Sequence, residues 1–204
     1  PTPRAATLGD LLTGRDDSQW VEVQGIIRGV SPPPAARPEP ISLDMATGGG
    51  RLVVRVEAYD EERLRQLVDA KVKVRGLCFF IHNGKGQRCN VRLSIQEMED
   101  ISVLEPPADI AALPVLPVNQ LLRFDPKQAE IHCVRLQGVV TSPPAQGAFY
   151  FRDHTQGIRA KVREDSKIRV GDRVDVLGFP VMGELAPVLE DAVILRTGSG
   201  PAPK

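Results

Sequence analysis

The sequence predicts an all-β chain with short helices, built as two tandem copies of one small five-stranded unit. Three observations predict it. Gly and Pro number 18 each in 204 residues, about 18% against a usual sum of roughly 12%, so turns are frequent and segments short. Within those segments apolar and polar residues alternate, the period of a half-buried strand. The third observation is a repeat. Val23-Gln24-Gly25-Ile26-Ile27 followed by Ser31-Pro32-Pro33 returns as Leu136-Gln137-Gly138-Val139-Val140 followed by Ser142-Pro143-Pro144. Lys71-Val72-Lys73-Val74-Arg75-Gly76 returns as Arg173-Val174-Asp175-Val176-Leu177-Gly178, Glu99-Asp100-Ile101 as Glu190-Asp191-Ala192, and Leu11-Leu12 as Leu121-Leu122, all in the same order.

Each copy opens on a short helix, with Thr7 and Asp10 spaced as a capping box. The first strand points Val21 and Val23 inward and Glu22 and Gln24 outward, and its glycine permits the bend or bulge a small barrel needs. A Pro-rich loop follows. The second strand is Ile41-Ser42-Leu43 in one copy and Phe149-Tyr150-Phe151 in the other. Turns at Thr47-Gly48-Gly49-Gly50 and Thr155-Gln156-Gly157 lead to the third strand. Its inward residues are Leu52, Val54 and Val56, then Ile158, Ala160 and Val162. Asp60 to Val68 reads as a helix, with acids in its first turn and Leu64, Leu67 and Val68 on one face. Copy two has only a tight turn there, at Val170-Gly171-Asp172. Two more strands complete each copy. Three strands, an optional helix and two strands in about 100 residues is the order of an OB-fold barrel. The predicted domains are 1–105 and 118–204. A Pro-rich linker, 106–117, separates them, and residues 197–204 read as a second linker.

The 26 basic side chains equal the 26 acidic ones, which disfavours a strongly electrostatic nucleic-acid binder. Aromatic residues are 4% of the chain, so stacking surfaces are scarce. No apolar run is long enough to span a bilayer. The chain opens at Pro1 without a basic and apolar leader; with the linker-like C-terminus, this leads one to expect a piece of a longer protein. Cys78, Cys89 and Cys133 form no CxxC pair, so no metal site is expected. Asn83-Gly84 is a two-residue hairpin signal. With His82 facing Lys85, Cys78 would lie directly across from Cys89, which would allow a cross-strand disulfide; two half-buried thiols are the alternative.

Several phrases together carry a family resemblance: Ser18-Gln19-Trp20-Val21-Glu22-Val23-Gln24-Gly25, Ala46-Thr47-Gly48-Gly49-Gly50-Arg51-Leu52, Leu67-Val68-Asp69-Ala70-Lys71-Val72-Lys73-Val74-Arg75-Gly76, Leu121-Leu122-Arg123-Phe124-Asp125 and Gly171-Asp172-Arg173-Val174-Asp175-Val176-Leu177-Gly178-Phe179-Pro180. In order and spacing, the chain resembles the extracytoplasmic tandem OB-fold region of bacterial membrane-bound two-component sensor histidine kinases. The resemblance implies a non-enzymatic sensing or interaction module in the periplasm, tethered to the membrane through a segment outside this chain. It implies no cofactor, and a small ligand or a protein as partner. The alternative location is the cytoplasm. The alternative function is single-stranded nucleic-acid binding. Edge strands of small barrels also leave a homodimer open.

No catalytic constellation stands out. His132 and Cys133 are strand neighbours that point to opposite faces. Asp153-His154 sits in a turn, where such residues commonly cap the backbone. The outer face of the second and third strands is the candidate binding surface, since OB barrels hold oligonucleotides and sugars there. It would present Arg51 and Arg55 in copy one, and Tyr150, Arg152, Arg159, Lys161 and Arg163 in copy two. A stripe of this kind could grip a polyanion, with Tyr150 stacking on a ring. The competing reading is a solvated face whose charges keep the protein soluble.

Overall fold

The computed structural model describes residues 2–33, 40–123, 132–163, 167–184 and 186–198. Most of the Pro-rich loop of copy one (34–39), the Phe124-Asp125 phrase and the C-terminal linker from Ser199 onward lie outside them. The chain divides into two compact units, Pro1–Pro107 and Ala108–Lys204.

In the first unit the elements are β1 (Arg4–Ala5), α1 (Leu8–Leu12), β2 (Trp20–Ser31), β3 (Ile41–Thr47), β4 (Gly50–Val56), α2 (Glu61–Arg65), β5 (Lys71–His82), β6 (Arg88–Ile95) and β7 (Ile101–Glu105). Strands β2, β3, β4, β6 and β5 run in that order around a ring that β2–β5 pairing closes. Only β4–β6 is parallel within the ring. The second unit repeats the ring with β8 (Val134–Ala145), β9 (Ala148–Arg152), β10 (Gly157–Val162), β11 (Arg173–Met182) and β12 (Pro187–Gly198). Two closed five-stranded barrels of OB-fold order are therefore present, as the repeat predicts.

Alternation sets what each barrel buries. Val21, Val23, Leu43, Leu52, Val54, Val56, Val72, Val74 and Leu93 fill the first core, and Leu136, Val140, Phe149, Phe151, Val174, Val176 and Leu189 fill the second. Each fully buried side chain of this kind contributes roughly 1.5–3 kcal/mol. Thr7 caps α1 by the expected box: its hydroxyl accepts from Asp10 N at 3.2 Å, and Asp10 Oδ2 accepts from Thr7 N at 2.9 Å. Asp60 caps α2 by accepting from the Glu62 and Arg63 amides at 3.0 and 3.2 Å. Helix α2 ends at Arg65 rather than Val68 and places Leu64 in the first core. The segment matching α1 in copy two is a 3₁₀ helix, Val118–Arg123.

The repeated glycines answer to crowding. A Cβ on Gly25 would stand 2.3 Å from the Ala46 carbonyl oxygen, and one on Gly138 would stand 2.4 Å from that of Arg152. Both mark the place where a long first strand passes from one neighbour to the next. The bulges lie further on, between Ile27 and Gly29 and between Val140 and Ser142.

Three expectations need correction. The hairpin after β5 is not a two-residue turn. Asn83 Oδ1 accepts from the amides of Lys85 and Gln87, both at 3.0 Å. Gly86, at φ +74°, bonds back to the Asn83 carbonyl. The longer loop moves the register, so Cys78 lies opposite Leu93. Cys78 and Cys89 are free thiols, one buried and one exposed, and the disulfide geometry is absent. Second, Glu99-Asp100-Ile101 is not the counterpart of Glu190-Asp191-Ala192. Val74 pairs with Ile101 and Val176 with Ile194. Copy one breaks its last strand with a 3₁₀ turn at Met98–Asp100, whereas β12 runs through. Third, the predicted linker is not all free-running: Val115 bridges to Arg135, Leu116 N donates to the Arg135 carbonyl at 2.9 Å, and Leu116 packs on the second core.

Candidate binding face

The site begins with two phenylalanines. Phe149 and Phe151 are fully buried, their rings 5.6 Å apart. A strand alternates faces, so Tyr150 and Arg152 point outward, and Tyr150 is 49% exposed. On β10, Ile158 and Ala160 are buried, which turns Arg159 and Lys161 outward. The antiparallel register sets Tyr150 directly opposite Arg159. A one-residue slip would bury Tyr150 and Arg152 in place of two phenylalanines, so the core itself fixes this pair. Arg159 Nε is buried without a hydrogen-bond partner among the described residues.

The seven predicted residues do not form one stripe. Lys161 Nζ bonds Glu190 Oε1 at 2.8 Å. Arg163 lies past the end of β10 and bonds Asp191 through Nε at 2.9 Å and Nη2 at 2.8 Å. Arg51 bonds Asp44 at 2.5 Å across the β3–β4 ladder. Arg55 is half-buried between Ser42 and Ser94 on the neighbouring strands. Tyr150, Arg152 and Arg159 remain together on β9 and β10, and among the described residues no carboxylate bonds to any of them.

Matching the two ladders gives the reason for the difference. Asp44 stands opposite Val53, whereas Tyr150 stands opposite Arg159 at the same level of the second barrel. An acid therefore occupies in copy one the place that the tyrosine occupies in copy two. Sequence reasoning also missed two residues. Arg92 and Phe79 pair across β6 and β5, with Arg92 Cζ 5.9 Å from the phenyl centroid. The alternation of Val91, Leu93 and Ile95 already signals that Arg92 points outward. The two-residue hairpin register would have set Phe79 against another residue.

The remaining candidates are structural. Asp153 Oδ1 accepts from Thr155 N, Thr155 Oγ1 and Gln156 N at 2.7, 2.6 and 2.8 Å, and Oδ2 accepts from Val118 N at 2.8 Å. Burial raises this carboxyl's pKa, but the hydrogen bonds outweigh it and bring it down to about 2. Asp153 thus ties the 3₁₀ helix to the β9–β10 turn. Burial, helped by the charges of Asp16 and Asp17, pushes the Cys78 thiol up to about 11, so it is a poor nucleophile. Among the described residues, no three His, Cys, Asp or Glu side chains converge as metal ligands, and no helix is long and apolar enough to cross a membrane.

No protein-family model matches the sequence, and no curated protein matches it. Solved structures similar to the chain include the Ifi202 HINa domain in complex with 20 bp dsDNA, at 12% identity over 87% of this chain and 96% of that one, with a TM-score of 0.35. A murine DNA binding protein bound with dsDNA is 11% identical over 90% and 98%, at 0.36. A replication protein A heterotrimer bound to ssDNA is 8% identical over 86% and 48%, at 0.36. At TM-scores under 0.5 these likenesses carry no functional weight; the side chains alone do.

Proposed function

We propose that the chain is a non-enzymatic tandem OB-fold binding module that holds single-stranded nucleic acid on β9 and β10 of its second barrel. One observation carries the reading. An exposed tyrosine faces an arginine across two strands, a second arginine stands beside them, and among the described residues no acid neutralises either cation. An aromatic face for a base with adjacent cations for phosphates is what sequence-tolerant single-strand binding requires. Zero net charge does not oppose this locally. Acids such as Glu190, Asp191 and Asp44 are committed to Lys161, Arg163 and Arg51.

The test is fluorescence anisotropy with a labelled fifteen-nucleotide thymidylate strand at 20 mM NaCl. The expected result is saturable binding that weakens with Tyr150→Ala and with Arg159→Gln. No binding by the wild-type chain at this salt overturns the reading. The neutral overall charge and the family resemblance favour a second reading: an extracytoplasmic sensing module of a signal-transduction receptor that takes a small ligand or a protein. That reading stands if the oligonucleotide fails to bind.

A further inference from the structure

We infer that the first barrel carries a second nucleotide subsite, formed by Phe79 and Arg92, on a different pair of strands from the first. The inference rests on the single-strand reading and extends it from one contact point to two.

The support comes from comparing one level of each barrel, strand by strand. In the first barrel the outward residues on β3, β4, β6 and β5 are Asp44, Val53, Arg92 and Phe79. In the second, on β9, β10, β12 and β11, they are Tyr150, Arg159, Val188 and Val181. Each barrel has one arginine directly across the ladder from one aromatic ring. In the second barrel the pair occupies β9 and β10. In the first it has moved round to β6 and β5, and a valine stands on β4 where the second barrel has its arginine. The strand pair that holds tyrosine and arginine in one copy holds Asp44 and Val53 in the other, so the two faces are not equivalent.

The Arg92 pair shares two properties with the first site, accessible side chains and a buried arginine Nε, and adds one of its own. Its ring and guanidinium are already in contact, at 5.9 Å from Cζ to the centroid, within the range of a cation–π interaction. Both side chains are part-exposed. Arg92 Nε is buried without a hydrogen-bond partner, as Arg159 Nε is, so each guanidinium is held against its sheet. The ladder neighbours of Arg92 are Val53 and Phe79, and one step to either side along those strands come Arg51, Arg55, Leu77 and Ile81. None is an acid. Asp44, one strand further, is bonded to Arg51. A base can stack on the Phe79–Arg92 surface while its phosphate meets the terminal nitrogens of Arg92.

The experiment is a calorimetric titration of the full chain with unlabelled pentathymidylate at 20 mM NaCl, paired with 15N–1H spectra of the same samples. The expected result is two strands bound per chain, with amide shifts around Phe79 and Arg92 as well as around Tyr150 and Arg159. Phe79→Leu/Arg92→Gln is expected to lower the stoichiometry to one and abolish only the first set of shifts. Tyr150→Ala/Arg159→Gln is expected to lower it to one and abolish only the second. A wild-type stoichiometry of one, with shifts confined to β9 and β10, overturns this inference and leaves the single-strand reading intact. Absence of any binding by the wild-type chain overturns both. The wild-type result requires no variant to fold.

Discussion

Replacing Arg152 and Arg159 together by glutamine removes the two cations of the β9–β10 face that no carboxylate bonds among the described residues, while leaving Tyr150 in place. Each phosphate contact on a single strand contributes about 0.7 to the slope of log K against log salt, so losing two should make the slope shallower by about 1.4. Across a fourfold rise in NaCl, from 50 to 200 mM, that difference amounts to ~7-fold in affinity. The double variant should therefore bind more weakly at low salt and lose less as salt rises. Residual binding should persist, since stacking on an aromatic ring contributes about 1–3 kcal/mol per base. Anisotropy titrations of a labelled thymidylate strand at four salt concentrations give both slopes. The control is Lys161→Gln/Glu190→Gln, which deletes an existing ion pair and should leave the slope unchanged. Equal slopes for the wild-type and double-arginine variants would refute the reasoning, as would a control that flattens the slope as much as the double variant does.

Other outcomes follow from the scaffold. Gly138→Ala should destabilise the second barrel by about 1–3 kcal/mol, the usual cost of overpacking, because its Cβ meets the Arg152 carbonyl and the Phe151 ring; an unchanged thermal midpoint would contradict the packing described. Asp153 has its folded pKa lowered to about 2 from 3.8, so its stabilisation is present above about pH 4 and is lost as pH falls through 2. Because the carboxyl is only partly buried, that component is about 1 kcal/mol after screening. The stability gap between wild type and Asp153→Asn should more than halve between pH 6 and pH 2.5, and a constant gap in denaturant melts would rule the anchor out. With a thiol reagent at pH 8, Cys89 should react within minutes and Cys78 only on unfolding, whereas protection of Cys89 would mean that it is not exposed as described.

The parts of the fold that depend on local periodicity were readable. Leu52, Val54 and Val56 alternate on β4, Thr7 and Asp10 cap α1, and the acids from Asp60 to Glu62 open α2, each through interactions among residues within a few positions. The parts that depend on register were not. Asn83-Gly84 is a hairpin signal, but the Asn83 side chain holds two backbone amides of a longer loop, and that moved every β6 partner of β5. The disulfide expectation failed for this reason, and the Phe79–Arg92 pair was hidden by it.

The binding face divided along the same line. That Tyr150, Arg152 and Arg159 point outward follows from the phenylalanines and aliphatics between them. That Arg51, Lys161 and Arg163 are neutralised by Asp44, Glu190 and Asp191 needs the neighbouring strands, and the one that carries both Glu190 and Asp191 comes from much later in the chain. Equal numbers of acids and bases said nothing about where each acid sits.

Photocrosslinking asks most directly whether a base lies on Tyr150. A thymidylate strand carrying 5-iodouracil is irradiated in complex with the full chain and the adducts are mapped by mass spectrometry. The expected adduct lies on the tryptic peptide spanning residues 136–152, at Tyr150, and is lost in Tyr150→Ala. Efficient crosslinking confined to other residues, or adducts on that peptide that survive the substitution, would contradict a stacked base on the second barrel.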